Sequence, residues 1–170
     1  MCAVFVIGCS GPRAPALKDE PVYQNSREGF RFLVPEGWTQ YARGEVPPGK
    51  VQDERILVEY KLLTSEKPAA LQVTRLDRPE SLSLDDCLSA CSFGIENWRR
   101  KSPPEPLAIN GVEASRVVFI SRLDKEEETR EVVVFRRGER VYFFTGIFPS
   151  SDSKAREQVR RAVESIIWKT

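Results

Sequence analysis

Residues 106–123 read PLAINGVEASRVVFISRL, an Asn-Gly pair set between two apolar runs. Asn110 and Gly111 suit the two central positions of a tight hairpin turn, because both tolerate positive φ. The runs on either side then become neighbouring antiparallel strands, Pro106–Ile109 and Val112–Leu123. The same grammar repeats downstream. Glu131–Arg137 and Arg140–Phe148 flank Gly138-Glu139 and read as a second hairpin, with the acidic stretch Asp124–Glu128 as a polar loop between the two hairpins. Hairpin links join antiparallel strands, so this half of the chain is an antiparallel sheet rather than a set of parallel crossovers.

Upstream, Gly29–Pro35 (GFRFLVP) alternates Phe30, Phe32 and Val34 against Arg31 and Leu33, a strand with one buried face. Glu36-Gly37 turns the chain before Trp38, and a strand resumes over Thr39–Arg43. The stretch 44–49, GEVPPG, is a loop. Arg55–Leu63 alternates again, with Ile56, Val58, Tyr60 and Leu62 on one face, and Leu71–Leu76 is a shorter strand.

Two helices complete the pattern. In residues 81–101, SLSLDDCLSACSFGIENWRRK, the residues Leu84, Cys87, Leu88, Cys91, Ile95 and Trp98 fall on one helical face. Ser83 followed by Asp86 is a capping-box variant at its start, and Asp85 and Asp86 favour the positive end of the helix dipole. Arg99, Arg100 and Lys101 complement the other end before Pro103-Pro104 stops it. The last helix follows Pro149–Ser153 and carries an apolar stripe of Ala155, Val159, Ala162, Val163, Ile166 and Ile167, closed by Trp168. Strands, helix, strands, helix, linked by hairpins, make an α+β domain: an α-β-α sandwich with a central antiparallel sheet.

The first residues pose a different question. Val4–Ile7 is too short for a membrane helix, which needs ~20 apolar residues, yet a signal peptide needs only ~7–15. Val6-Ile7-Gly8-Cys9 resembles the bacterial lipobox, in which the cysteine thiol is acylated and the chain is cut just before it. The first basic residue is Arg13, so a signal read this way has its start codon upstream of Met1. Residues 1–8 are thus expected to be a truncated signal peptide, 9–23 a flexible tether lipidated at Cys9, and 24–170 the folded domain. The other reading makes VFVI a buried first strand and the protein a cytoplasmic chaperone-like adaptor.

Composition narrows the chemistry. The 170 residues suit one domain. Charged residues are 30 % of the chain but balance to a formal +1, with the two signs interspersed, so no footprint for nucleic acid is present. There is no histidine, which removes Ser-His-Asp and Cys-His machinery and imidazole-bound metal. No phosphate-cradling glycine loop occurs. Cys87 and Cys91 are four apart on a helix, about 5–6 Å between Cβ atoms, too far for an unstrained disulfide at ~3.5–4.5 Å. They read as packed thiols, the acidic residues Asp124–Glu128 as a solvated tip. No catalytic residue, metal or cofactor is expected. Trp38 packs the first turn. Exposed instead, Trp38 with Tyr41, Pro47 and Pro48 makes a partner surface, as do the basic residues Arg136, Arg137 and Arg140 for anionic lipid or an acidic partner.

GFRFLVPEGW (29–38), the central helix, AINGVEASRVVFIS (108–121), VYFFTGIFPSSD (141–152) and a terminal amphipathic helix together resemble the PsbP-like domain, over about Gly29 to Thr170. That superfamily includes photosystem II extrinsic proteins, Ran-binding Mog proteins and many bacterial lipoproteins. The resemblance implies the same α-β-α sandwich and a binding, assembly or chaperone-like role without enzymatic activity. It carries over no partner and no metal ligand. The expectation is a monomeric accessory lipoprotein of the bacterial cell envelope, on the outer side of the cytoplasmic membrane or in the outer membrane, that binds a protein partner. A carrier of a small hydrophobic ligand is the second.

Overall fold

The computed structural model describes residues 21–41, 54–63, 68–90, 98–123 and 126–169. The lipobox, most of the tether, the loop around Pro47-Pro48 and the Cys91–Ile95 part of the expected central helix lie outside them. In chain order the elements are β1 (Val22–Asn25), β2 (Phe30–Leu33), β3 (Thr39–Tyr41), β4 (Arg55–Leu62), β5 (Ala69–Asp77), α1 (Leu84–Ala90), β6 (Arg99–Arg100) and β7 (Glu105–Ile109). Then follow β8 (Val112–Leu123), β9 (Glu126–Arg137), β10 (Arg140–Pro149), α2 (Ser153–Glu164) and β11 (Ile167–Trp168).

The large sheet runs β3-β4-β5-β10-β9-β8, with β6 and β7 sharing the outer edge of β8. Every pairing is antiparallel. The two hairpins are as expected: Ile109 faces Val112 and Arg137 faces Arg140. Asn110 and Gly111 have φ of 49° and 79°, the pair of positive values that such a turn demands.

β5, β10 and β9 lie inside the sheet and are covered on both faces. Their alternate residues therefore feed two different cores. Leu71, Val73, Val133, Phe135, Tyr142 and Phe144 pack under α2 and β2. Leu76, Val132, Val134, Val141 and Phe143 pack under Cys87 and Leu88 of α1. Helices on opposite faces of an antiparallel sheet make the expected α-β-α sandwich.

A second sheet was not anticipated. β1, β2 and β11 form a three-stranded antiparallel layer beside α2, with Phe30 and Phe32 pointing into the core. Its outer strands correct two boundaries. β1 starts at Val22, inside the segment read as tether, and the last helix ends at Glu164 so that Ile167 and Trp168 become a strand against Arg31 and Phe30. Ile166 turns into the core while Ile167 faces out, which is strand alternation, not a helical stripe.

Two further expectations are overturned. The central helix does not reach Lys101: Arg99 and Arg100 form β6 against Ile120 and Phe119. Nor is the stretch 124–128 all loop, because Glu126, Glu127 and Glu128 pair with Leu123, Arg122 and Ser121 and extend the long hairpin. In β4 a bulge between Ile56 and Val58 shifts the register; beyond it Val58 and Tyr60 join the core under α2, and Glu59, on the alternate face, is also buried.

The helix starts behave as read. Asp152 caps α2 by accepting from Ala155 N at 2.9 Å. At α1 the Ser83 hydroxyl accepts from Asp86 N (3.1 Å), while the Asp86 carboxylate accepts from the Ser83 N–H (3.2 Å) and hydroxyl (2.7 Å). These bonds hold the Asp86 carboxyl below its ordinary range. A depressed folded-state pKa means stabilisation that is present above the unfolded value and lost as pH falls through the folded one. Amide protection factors in α1 are therefore expected to fall in acid more than those in α2, and Asp86→Asn should remove that difference. Ser83→Ala should cost about 1 kcal/mol by denaturant titration at neutral pH.

Gly146 sits in β10 directly beneath α2. A Cβ there would lie 2.5 Å from Val159 Cγ1 and 3.1 Å from Phe148 Cε1. Val159 is β-branched and buried, with little freedom to yield. Gly146→Ala is expected to destabilise by about 1–3 kcal/mol through overpacking, and Val159→Ala in the same chain should recover part of it. A double-mutant cycle in urea measures both.

Candidate functional site

Between α2 and the β7–β8 hairpin lies a cavity of about 360 Å³, partly open to solvent. Its walls are mainly apolar: Leu107 and Ile109 from the hairpin, Val133 and Phe144 from the sheet, Val159 and Val163 from α2. Gly146 lets α2 settle close to the sheet at one point, and the larger side chains around it hold the rest of the helix off. Asn110, at the hairpin tip, donates from Nδ2 to the carbonyls of Glu164 (3.2 Å) and Ile166 (2.7 Å). The tip is thereby tied to the end of α2, fixing one end of the cavity.

The polar side of the cavity is built on Glu131, whose side chain is 3 % exposed. It neighbours Gly146 in the strand register. Arg156 and Arg160, one turn apart on α2 and so on one face, donate from their Nε atoms to its two oxygens at 3.1 and 2.9 Å. Arg116 of β8 approaches at 3.6 Å through Nη1 and is itself held by Glu105 at 3.0 Å. A buried carboxylate needs such company, since desolvation alone would disfavour its charge. The cluster was not visible as a motif. Its one local signal was a lone acidic residue heading the apolar run Val132–Phe135.

A second buried carboxylate, Glu28, stands at the β1–β2 turn. It accepts from Arg75 Nη1 (2.9 Å), Tyr142 Oη (2.9 Å) and Arg140 Nη1 (3.4 Å), while Arg75 Nη2 donates to Asp77 (2.9 Å). This cluster bolts the small sheet onto the large one. Burial, and then the Glu28 hydrogen bond, push the Tyr142 hydroxyl pKa up. Burial also raises Tyr60, to about 12. Both tyrosines are thus moved away from acting as bases near neutral pH. Among the described residues no three acidic or cysteine side chains gather to hold a metal ion.

The residues expected to form a partner surface are dispersed. Trp38 is buried, and its Nε1 donates to Gln158 Oε1 of α2 at 3.0 Å, so it packs the first turn and presents nothing outward. Tyr41 is exposed on the edge strand β3 with Lys61 Nζ 4.7 Å from its ring. Arg136 is a clamp on the α1 side. It donates to the carbonyls of Pro79 (3.1 Å) and Leu82 (2.6 Å) and approaches Cys87 Sγ at 3.3 Å. Arg137 turns to the other face, donating to Lys169 O (3.2 Å) over the Trp168 ring, and Arg140 belongs to the Glu28 cluster. Pro47, Pro48 and Cys9 lie outside the described residues.

What the structure does expose is the outer face of the small sheet. Val22 and Leu33 are register partners there, and Ile167 lies beside Arg31; the three apolar side chains are 53 %, 38 % and 46 % exposed. Pro21 precedes β1 in this layer, its carbonyl accepting from Val34 N at 2.7 Å. Among the described residues no helix is long and apolar enough to cross a membrane.

No protein-family model matches the chain, and no curated protein matches it by sequence. Solved structures do. Cyanobacterial PsbP (CyanoP) from Synechocystis superposes with a TM-score of 0.64 at 13 % identity, over 95 % of this chain and 100 % of that one. LpqN of Mycobacterium tuberculosis, described as involved in cell envelope biogenesis, gives 0.57 at 8 % identity over 91 % and 88 %. A Pseudomonas aeruginosa protein of unknown function, PA94, gives 0.55 at 16 % identity over 78 % and 98 %. With two helices among the described residues on opposite faces of one antiparallel sheet, and a likeness to CyanoP over nearly all of both chains, this protein has a PsbP-like fold.

Proposed function

We propose that this chain is a non-enzymatic accessory lipoprotein of the bacterial cell envelope, anchored by lipid on Cys9, whose PsbP-like domain binds a protein partner. The observation that carries the partner is the outward apolar trio Val22, Leu33 and Ile167. Three large side chains on one open sheet face are a contact surface in search of cover. The lipobox-like Val6–Cys9 supports the anchor, and the envelope role described for LpqN is consistent with the location.

The test has two arms in intact bacteria. Intact mass of the mature chain should show a start at acylated Cys9, abolished by Cys9→Ala. A photo-crosslinking residue at Leu33 should then trap one discrete envelope protein, while the same residue at exposed Arg122 should not. An unprocessed, unacylated chain would sink the anchor. Identical crosslinks from both positions would sink the surface.

A second reading is favoured by the cavity, whose volume and apolar walls are those of a small-ligand site. In that reading the domain carries an apolar molecule between envelope partners.

A further inference from the structure

We infer that the cavity under α2 takes a medium-chain amphipathic carboxylate, with its alkyl chain against Ile109, Val133, Phe144 and Val163 and its head on Arg160. This rests on the carrier reading and adds the chemistry of the ligand.

The assignment comes from how the arginines are used. Arg160 spends only its Nε on Glu131. Its two Nη nitrogens have no partner among the described residues, and its side chain is 35 % exposed where it lines the cavity. A guanidinium held through Nε keeps its terminal nitrogens fixed in direction, which is the preorganised geometry that a carboxylate prefers. The charges also favour an anion. Around the buried Glu131 carboxylate stand two guanidiniums partly withdrawn from water, Arg116 and Arg160, and one exposed guanidinium, Arg156. The other two carboxylates nearby, Glu105 and Glu164, are exposed, so solvent screens them. An incoming head group therefore meets a locally positive rim beside an apolar wall. A cavity of about 360 Å³ excludes a two-chain lipid and admits a single chain of moderate length.

The probes are decanoate and its neutral counterpart decanol, titrated calorimetrically into the full chain below their micelle concentrations. Decanoate is expected to bind, more weakly as salt rises, and decanol at least about ten-fold more weakly, the value of one charge-assisted pair. Arg160→Gln should bring decanoate down to the level of decanol and leave decanol unchanged. Arg160→Lys, which keeps the charge, should restore part of the gap. Thermal unfolding of each variant verifies that the fold persists. Leu107→Trp, which fills the cavity from its half-buried rim, should abolish both ligands. Equal binding of decanoate and decanol, or decanoate binding indifferent to Arg160→Gln, overturns the head-group assignment while the carrier reading stands. If neither ligand binds, both fall. If both bind but Leu107→Trp leaves them undisturbed, both again fall, since the site is elsewhere.

Discussion

Trp168→Ala is expected to cost about 3–5 kcal/mol of folding stability, as large aromatic truncations in cores do. The indole is 9 % exposed and its ring centroid lies 4.9 Å from Tyr142, 5.1 Å from Phe30 and 5.7 Å from Phe135. It thus joins the small sheet to both β9 and β10. On its outer side Arg137 lies 5.5 Å from the centroid. Deleting the ring opens a cavity where three elements meet and leaves β11 without its inward side chain, held by backbone bonds to β2 and Gly29. Trp168→Phe should cost far less: it keeps a ring in place and removes an indole N–H that is buried with no hydrogen-bond partner among the described residues. Urea titration followed by far-UV circular dichroism measures both. A loss below about 1 kcal/mol for the alanine variant would mean that β11 is not part of the cooperative core.

Glu28→Ala is the second large effect, again about 3–5 kcal/mol, by a different mechanism. The Glu28 and Arg75 side chains are 4 % and 7 % exposed. Without the carboxylate, Arg75 Nη1 and the Tyr142 hydroxyl lose their acceptor inside the protein, and Arg75 keeps only Asp77 as a charged partner. The value should fall at the lower end of the range for that reason. The diagnostic is the double variant Glu28→Met with Arg75→Met. Replacing both charges by apolar groups of similar length is expected to be much less harmful than removing the carboxylate alone, because no stranded charge remains. Denaturant titration of the single and double variants decides. A double variant as unstable as Glu28→Ala would show that the hydrogen-bond network, and not the stranded guanidinium, sets the cost.

How far the sequence could be read depended on the range of the interactions. Turns and caps are local. Asn110-Gly111, Gly138-Glu139, Ser83 with Asp86, and Asp152 at the start of α2 were legible because the residues that decide them lie within four positions of one another. The strands of the long hairpins were legible for the same reason. Misreadings arose where distant pairing overrode a local pattern. Trp98, Arg99 and Arg100 continue a helical period, yet the backbone of β6 bonds to β8, about twenty residues further along. Ile167 and Trp168 extend an apolar stripe, yet they serve β2, at the other end of the chain. Glu126–Glu128 are acidic enough to suggest a loop, but ladder pairing to β8 tolerates them on the hairpin's far end.

The candidate site was the least legible part. Its components, Arg116, Glu131, Arg156 and Arg160, come from three elements, and none is unusual where it stands. Conversely, the residues picked for exposed chemistry were mostly spoken for. Trp38 packs the first turn as read, held inward by Gln158, so its alternative as a surface aromatic falls; Arg136, a solvated strand end or a partner contact by its sequence, is occupied by backbone carbonyls around α1. A basic or aromatic side chain read from sequence reveals what it can do, while its partners, which decide whether it is available, are set by the tertiary fold.

The place of β11 beside β2 has a consequence for how this protein comes into being. Phe30 and Phe32 are made long before Trp168, yet they occupy the same aromatic cluster. A nascent chain can close the Asn110 and Gly138 hairpins as they emerge, since those contacts are short-range. It cannot complete the cover of its own first strands until β11 has left the ribosome. Completion of the fold therefore waits for the emergence of β11. A chain cut after Ser165 would lack β11 and leave the layer of β1 and β2 open on that edge.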